Sequence, residues 1–444
     1  MRISDSIDRD RLFEHFASGL TREGKRLIGL EYEMLGVERD TGRALSFYGG
    51  KRSVEGVLQR LAERHGWIAV GCAGDGAPLL ELERDGSRVT LEPGAQLELS
   101  ARPHRSLADV RRELSQFKDE VRSVSEDLDV AWLPLGLQPL TTPDDVRIIP
   151  KRRYDVMTRY LPTRGDHALW MMRTSAGMQI NLDVFTPKEA ARKLRLALLS
   201  SPLITAIFAN SPLSAGAENG FATRRGYIWR DVDPDRCGVP APLIAADATI
   251  ADYVDWALDA GMFFVSRGDD LVDMTGVTFR DFVDLGARGM TATIDDWNLH
   301  LTTLFPEARL KSYLEVRCAD SNSTELALAY VALSLGLFYG DDSTLAELES
   351  LVGGAGSDDL DVLHERATRA GLADEGVRDL SAQLVAVAAR SLAAHLPEDR
   401  PFLAPAERIV ESGRMPADEL RDAHRDARST VELVEALYAR EFSR

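Results

Sequence analysis

The sequence predicts an α+β protein in which helices cover an antiparallel sheet and the C-terminal third is almost wholly helical. Three observations carry this. Short apolar runs bounded by turn residues crowd the first half of the chain, and two of them flank Asp85-Gly86, a dipeptide suited to a tight hairpin. A long helical stripe follows these early strands. From Asn322 onward, stripes such as Leu380, Leu384, Val387 and Val431, Val434, Tyr438 replace strand patterns. Strands early and helices late argue for α+β layering. With 444 residues, 44% of them hydrophobic, the chain can bury a large core. It reads as one domain over 1–444, with a catalytic core at 25–320 and a helical packing region at 321–444.

Taken in order, the apolar segment Leu27-Ile28-Gly29-Leu30-Glu31-Tyr32-Glu33-Met34 reads as a buried strand. Alternation places Glu31 and Glu33 on one face and Tyr32 on the other. Leu79 to Glu83 and Arg88 to Leu91 form the two arms of the Asp85-Gly86 hairpin, and Ala95 to Leu99 follows Pro93-Gly94 as another strand. Ser106, with Asp109 three positions on, caps a helix whose stripe is Leu107, Val110, Leu114, Phe117, Val121, Val124 and Leu128. Val130 to Leu133 is a further strand. Met178 to Val184 alternates, so Gln179, Asn181 and Asp183 share a face. Thr186-Pro187-Lys188-Glu189 is a capping box opening a helix with Ala190, Leu194 and Leu198 inside.

The charge balance narrows the function classes. There are 53 basic and 71 acidic residues, for a net charge of −18, which repels nucleic acid and anionic membranes. Cys72, Cys237 and Cys318 are widely spaced and lack a metal-binding pattern, in keeping with a reducing compartment. The N-terminus has no apolar secretory core, and the most apolar stretch, Leu196 to Ala209, is interrupted by Pro202 and too short for a bilayer. A soluble cytoplasmic protein is expected. G-x-x-x-x-G-K-[ST], H-E-x-x-H and the dinucleotide fingerprint are all absent.

The polar residues inside apolar strands are the candidates for chemistry. Two like charges side by side are costly to bury without a cation between them, and Mg²⁺ accepts carboxylate oxygens and is often shared with phosphates. An edge strand with Glu31 and Glu33 in water is the competing reading. Gln96 and Glu98 share a face, with Glu98 between Leu97 and Leu99; Glu92, beside Pro93-Gly94, reads more readily as a solvated loop residue. Glu315 and Arg317 share a face of Leu314-Glu315-Val316-Arg317, either as part of a site or as a structural ion pair. Arg224, Arg225 and Arg236 surround Tyr227-Ile228-Trp229 and would suit an anionic substrate, although surface arginines also serve solubility. Among eight histidines only His300 falls in a segment of interest.

Several ordered strings resemble the plant-type glutamate–cysteine ligase family. They are Ile28-Gly29-Leu30-Glu31-Tyr32-Glu33, Leu91 to Ser100, Gly136-Leu137-Gln138-Pro139, Gln179-Ile180-Asn181-Leu182-Asp183 and Phe208-Ala209-Asn210-Ser211-Pro212. His300 to Glu307 and Tyr313-Leu314-Glu315-Val316-Arg317-Cys318-Ala319-Asp320 complete the set. The resemblance implies a carboxylate–amine ligase related to glutamine synthetase, with a sheet curved into a funnel and Mg²⁺ bridging its glutamates to ATP. It implies Glu31, Glu33, Glu98 and Glu315 as metal ligands, and Gln179 and Asn181 as pocket lining. Arg225 would take the substrate carboxylate, with Arg236 also binding substrate, and Arg317 would hold phosphate oxygens.

The implied reaction joins the side-chain carboxylate of glutamate to the amine of cysteine through an acyl phosphate, as in glutathione biosynthesis. The implied partners are these small molecules, and the helical region leaves room for a homodimer. Four departures stand out: Tyr32 in place of the His of plant members, Cys237 in place of Thr, Cys318 in place of Gly, and Ser321-Asn322 in place of a glycine pair. Cys318 is expected to change pocket volume if it points inward, although a buried, inert thiol on the far face is the commoner fate of such a residue. A sister ligase using another amine, or a non-catalytic homologue, are the alternatives.

Overall fold

The computed structural model describes residues 7–20, 24, 26–71, 77–268 and 270–442, so Cys72 lies outside the described residues. Its centre is a nine-stranded sheet. The strands are β1 (Ile28–Glu38), β2 (Ile68–Ala69), β3 (Leu82–Arg84), β4 (Ser87–Leu91), β5 (Leu97–Ser100), β6 (Val130–Leu133), β7 (Gly177–Leu182), β8 (Ala308–Leu310) and β9 (Leu314–Asp320). Their order is β8-β9-β7-β1-β5-β4-β3-β2, with β6 on the far half of β1, and every pairing is antiparallel. The sheet is open, with β8 and β2 at its edges.

β1 is interior, paired to β7 on one side and to β5 and β6 on the other, which removes the edge-strand reading of Glu31 and Glu33. Register sets Glu31 opposite Ser100 and Gln179, and Glu33 opposite Glu98. Arg84 pairs with Ser87 across the expected hairpin, where Asp85 and Gly86 have φ of 52° and 84°, the left-handed conformation a two-residue loop needs. The first arm is shorter than expected. Only Leu82–Arg84 is strand, because the Leu79 N–H turns to the Glu55 carboxylate at 3.0 Å.

Leu30, Tyr32 and Met34 face the opposite side of β1 and are buried in the core. Tyr32 donates its hydroxyl to the Asn322 carbonyl at 2.9 Å. The helix Leu107–Glu126 starts where Ser106 accepts the Asp109 N–H, and its predicted stripe is buried. The helix Thr324–Phe338 is buried on nearly every side, and Tyr330 reaches down to the Val316 carbonyl of β9 at 3.0 Å.

Pro202 does not break its segment, since one helix runs through it from Pro187 to Ile207. The Leu198 carbonyl, which Pro202 cannot satisfy, accepts the Ser201 hydroxyl at 2.7 Å. In the C-terminal region Leu384, Val387, Val434 and Tyr438 are buried as expected, but Val431 is 46% exposed at the start of its helix. Among the described residues no helix is long and apolar enough to cross a membrane.

Candidate functional site

The polar face of the sheet closes a cavity of about 260 Å³ whose two walls carry opposite charge. Glu31, Glu33, Glu92 and Glu98 form the acidic wall; Arg225, Arg309, Lys311 and Arg317 face them. Strand alternation built the acidic wall, as the period of two requires. Glu33 accepts from the Gly177 N–H at 2.6 Å and from Gln179 Nε2 at 2.8 Å. Glu98 accepts from Thr90 Oγ1 at 2.9 Å and Ser100 Oγ at 2.7 Å, and Glu31 from Asn181 Nδ2 at 3.0 Å. Gly29 is needed here, because a Cβ would lie 2.9 Å from Asn181 Cβ across the ladder.

These bonds do not neutralise the wall. Burial pushes Glu31 up to about 7, with the charges of Glu315 and Glu98 adding to it. Glu33 rises to about 7 from burial and the neighbouring Glu98, and Glu98 to about 7 from burial and Glu92. Glu92 is raised as well, by burial and then Glu33. It lines the cavity instead of sitting in a solvated loop, because the Pro93-Gly94 turn folds it over the sheet. Gln96 holds that turn, accepting from the Gly94 N–H at 2.8 Å and donating to the Ser175 carbonyl at 2.8 Å.

Glu315 behaves differently. It is fully buried, and Arg309 grips it through two nitrogens, while Lys311 and Arg317 approach at 3.3 and 3.1 Å. Burial alone would raise its pKa, but Arg309, Arg317 and Lys311 outweigh that and hold it well below the usual carboxylate range. The ion-pair reading of Glu315 and Arg317 is therefore realised, and Glu315 gathers the basic wall rather than joining the acidic one.

Arg225 enters from the helix Arg224–Trp229, capped by Thr223. Its terminal nitrogens lie 3.3 Å from the Arg317 carbonyl and 3.9 Å from Asp320, and Nε is buried without a partner. Asp320 accepts from the Asn210 N–H at 2.8 Å, Ser211 Oγ at 2.7 Å and Thr223 Oγ1 at 2.9 Å. The Asn210-Ser211 string thus supports the arginine from behind. Arg225→Ala should raise the Michaelis constant of the acid substrate by roughly 10- to 100-fold, the loss of one or two charge-assisted bonds. Asp320 keeps three donors, so a melt within a few degrees of wild type is expected beside the kinetics. A collapsed melt would mean that Arg225 serves the fold instead.

Other sequence candidates lie elsewhere. Arg236 does not reach the cavity: fully buried, it donates Nε to Asp233 at 2.7 Å and its terminal nitrogens to the Thr303 and Gly261 carbonyls at 3.1 and 2.5 Å. Its donors are spent on tying loops together. Arg224 stacks on Trp170 and donates to Ser214 at 2.9 Å. His300 is buried in the core, pushed down to about 3 by burial, with Nε2 2.8 Å from the Ala257 carbonyl. Asn181 lines an adjoining cavity of about 410 Å³ that shares Glu31 with the first.

Cys318 is no part of the cavity lining. Its buried thiol sits with Tyr330 and Glu307, and burial raises its pKa, so the inert-thiol reading is the one realised and the pocket is not narrowed. Cys237 is likewise buried, pushed up to about 12 by burial. Neither is a reactive thiolate.

Arg309, Lys311 and Arg153 were missed. Glu307, Arg309 and Lys311 alternate through an apolar strand, a signal of the same kind as Glu31 and Glu33. Arg153 sits in the helix Arg152–Tyr160, and no local pattern marks it.

Among the described residues no three acidic or histidine side chains converge as a metal-binding group. Glu31, Glu33 and Glu98 nevertheless fit a hard cation chemically, because their charge is uncompensated and the buried Gln179 Oε1 beside them has no partner. Glu315 does not fit, since its charge is already met by three cations.

Glutamate–cysteine ligase family 2 matches residues 27–437. The chain is 33% identical over 429 residues to glutamate–cysteine ligase B, chloroplastic, of Oryza sativa subsp. japonica, covering 95% of this chain and 84% of the relative. It is also 33% identical over 431 residues to the chloroplastic glutamate–cysteine ligase of Arabidopsis thaliana, covering 95% and 80%. Being chloroplastic, these relatives lend no support to the cytoplasmic expectation. A crystal structure of glutamate–cysteine ligase from Francisella tularensis in complex with AMP shares the fold at a TM-score of 0.58 and 14% identity, over 95% of this chain and 90% of that one. The match along almost the whole chain makes this protein a member of glutamate–cysteine ligase family 2, and a ligase.

Proposed function

We propose that this ligase forms γ-glutamylcysteine from glutamate, cysteine and ATP, with Mg²⁺ held by Glu31, Glu33 and Glu98. The single observation that carries the reading is the pair of opposed walls, uncompensated carboxylates facing guanidinium and ammonium groups across one cavity. A carboxylate is a poor electrophile, so its oxygen must first take the γ-phosphoryl group, leaving ADP and an acyl phosphate. The amine then attacks the acyl carbon and phosphate departs. Bound Mg²⁺ would supply charge neutralisation for the phosphates.

The chain's own residues do the rest. Arg225, backed by Asp320, binds the α-carboxylate of glutamate, and Trp229 and Phe305 wall that end of the cavity. Arg309, Lys311 and Arg317, gathered by Glu315, hold phosphate oxygens and the developing oxyanion. Enclosure excludes water from the acyl phosphate. Cys318, which motivated a different amine, lies outside the cavity, so it gives no reason to move from cysteine. Mass spectrometry of the products formed from glutamate, ATP and competing amines tests the assignment. A mass equal to γ-glutamylcysteine is expected; preference for an amine lacking a thiol would remove cysteine from the reading.

A further inference from the structure

The helix Ser357–Arg369 belongs to the region that the sequence reads as packing, yet it holds the segment that delivers Arg225. The Ala222 and Thr223 N–H groups both donate to the Thr368 carbonyl at 3.0 Å, immediately before the helix Arg224–Trp229. At the other end of that helix Arg230 pairs with Asp361. Asp361, His364 and Thr368 are spaced three and four residues apart and so share one helical face. Gly226 sits against it so closely that a Cβ would lie 3.1 Å from Thr368 Cγ2.

Between these two ties stands His364, 1% exposed, with both ring nitrogens lacking a hydrogen-bond partner. Its Nε2 is 3.6 Å from Glu307 Oε1, beyond hydrogen-bonding distance. Burial pushes His364 down to about 3, so the ring is neutral and keeps one N–H and one lone pair. A buried polar group left unpaired is destabilising, and such groups in a folded protein call for an explanation.

Glu307 supplies it. It is buried, and its nearby charges are Arg225, Arg230 and Arg317. Its main chain is fixed on both sides, its N–H donating to the Gly238 carbonyl and its carbonyl accepting the Arg317 N–H, each at 2.9 Å. Glu307 therefore sits under the influence of these guanidinium charges, Arg225 first among them. His364 is the neighbouring polar group that can orient its carboxylate.

We propose that His364 and Glu307 are a positioning pair that sets Arg225 for the acid substrate, giving the C-terminal helical region a part in substrate binding. The inference deepens the proposed function and rests on it. The pair touches neither substrate nor reacting atoms; it acts through Arg225.

The test uses the full chain and three variants: His364→Leu, His364→Asn and Glu307→Gln. His364→Leu removes both nitrogens, and should raise the Michaelis constant of the acid substrate about tenfold while that of ATP and the turnover number stay within about twofold. Its melting temperature should hold or rise, since an unpaired buried imidazole has been replaced by an apolar side chain. His364→Asn, which restores a donor and an acceptor, should recover at least half of the effect on a logarithmic scale. Glu307→Gln should reproduce the loss, and the double variant with His364→Leu should be no worse than either single one. The pair is overturned if His364→Leu keeps the wild-type Michaelis constant, or if all kinetic parameters fall together with the melting temperature. The constant is read for whichever acid the wild type accepts, so an acid other than glutamate would overturn the proposed function without touching this test.

Discussion

Glu31→Gln should lower turnover by at least about a hundredfold and leave the fold intact. The substitution is clean because Glu31 accepts a single side-chain bond, from Asn181, so the new amide can keep its carbonyl there and turn its NH₂ to the open cavity. Glu33 would be a poorer choice, since both of its oxygens already accept N–H groups. What Glu31→Gln removes is one carboxylate from the acidic wall, with the shape of the side chain kept.

The same variant should stabilise the substrate-free protein at pH 8. Glu31 holds its proton up to about 7 in the fold, against an ordinary value of 4.5. The folded state thus binds more protons than the unfolded chain between these values, and stability falls as pH rises through that window. Gln carries no such penalty. Each kcal/mol recovered corresponds to a rise of roughly 1–2 °C in a chain of this size. Melts at pH 5.5 and 8, run beside steady-state kinetics, check both halves. Turnover within a few-fold of wild type would sink the role of the acidic wall, whatever the melt shows.

Glu315→Gln should move stability the other way. Arg309, Lys311 and Arg317 would lose the one carboxylate they share, leaving buried Arg309 and its two partly buried neighbours uncompensated. Breaking one side of such a cluster costs about 3–5 kcal/mol. Glu315 has a folded pKa below its ordinary value, so its contribution is present above about 4.5 and is lost as pH falls further, opposite in sign to Glu31. Chemical denaturation at pH 7 measures the loss. Activity should fall too, as the cations of the basic wall drift from register. If Glu315→Gln instead melts like wild type and only the metal requirement rises, Glu315 is a ligand and the account of the basic wall is wrong.

The opposite behaviour of two strand glutamates, Glu31 and Glu315, marks what sequence could and could not decide. Glu31, Glu33 and Glu98 were legible because strand alternation is a local rule, and an acid at every second position of an apolar run has few explanations. The Asp85-Gly86 hairpin and the Ser106 cap were legible for the same reason, being set by a few neighbouring residues. Even the family resemblance is a string of such local patterns.

Which cation meets which carboxylate is a different kind of question. Glu315 shares its face with Arg317 but is chiefly gripped by Arg309, which β8 brings opposite it. Arg225 and Arg236 look alike in sequence, yet one lines the cavity and the other ties loops, because the segments folding around them differ. Glu92 left the solvent only through the path of its turn, and His364 met Glu307 only through the packing of a distant helix. The sequence by itself determined the strands, their polar face and the acids on it, all set by backbone periodicity over a few residues. Only the tertiary structure decided how those charges are paired, because a side-chain charge interacts through space, with partners that chain separation does not order.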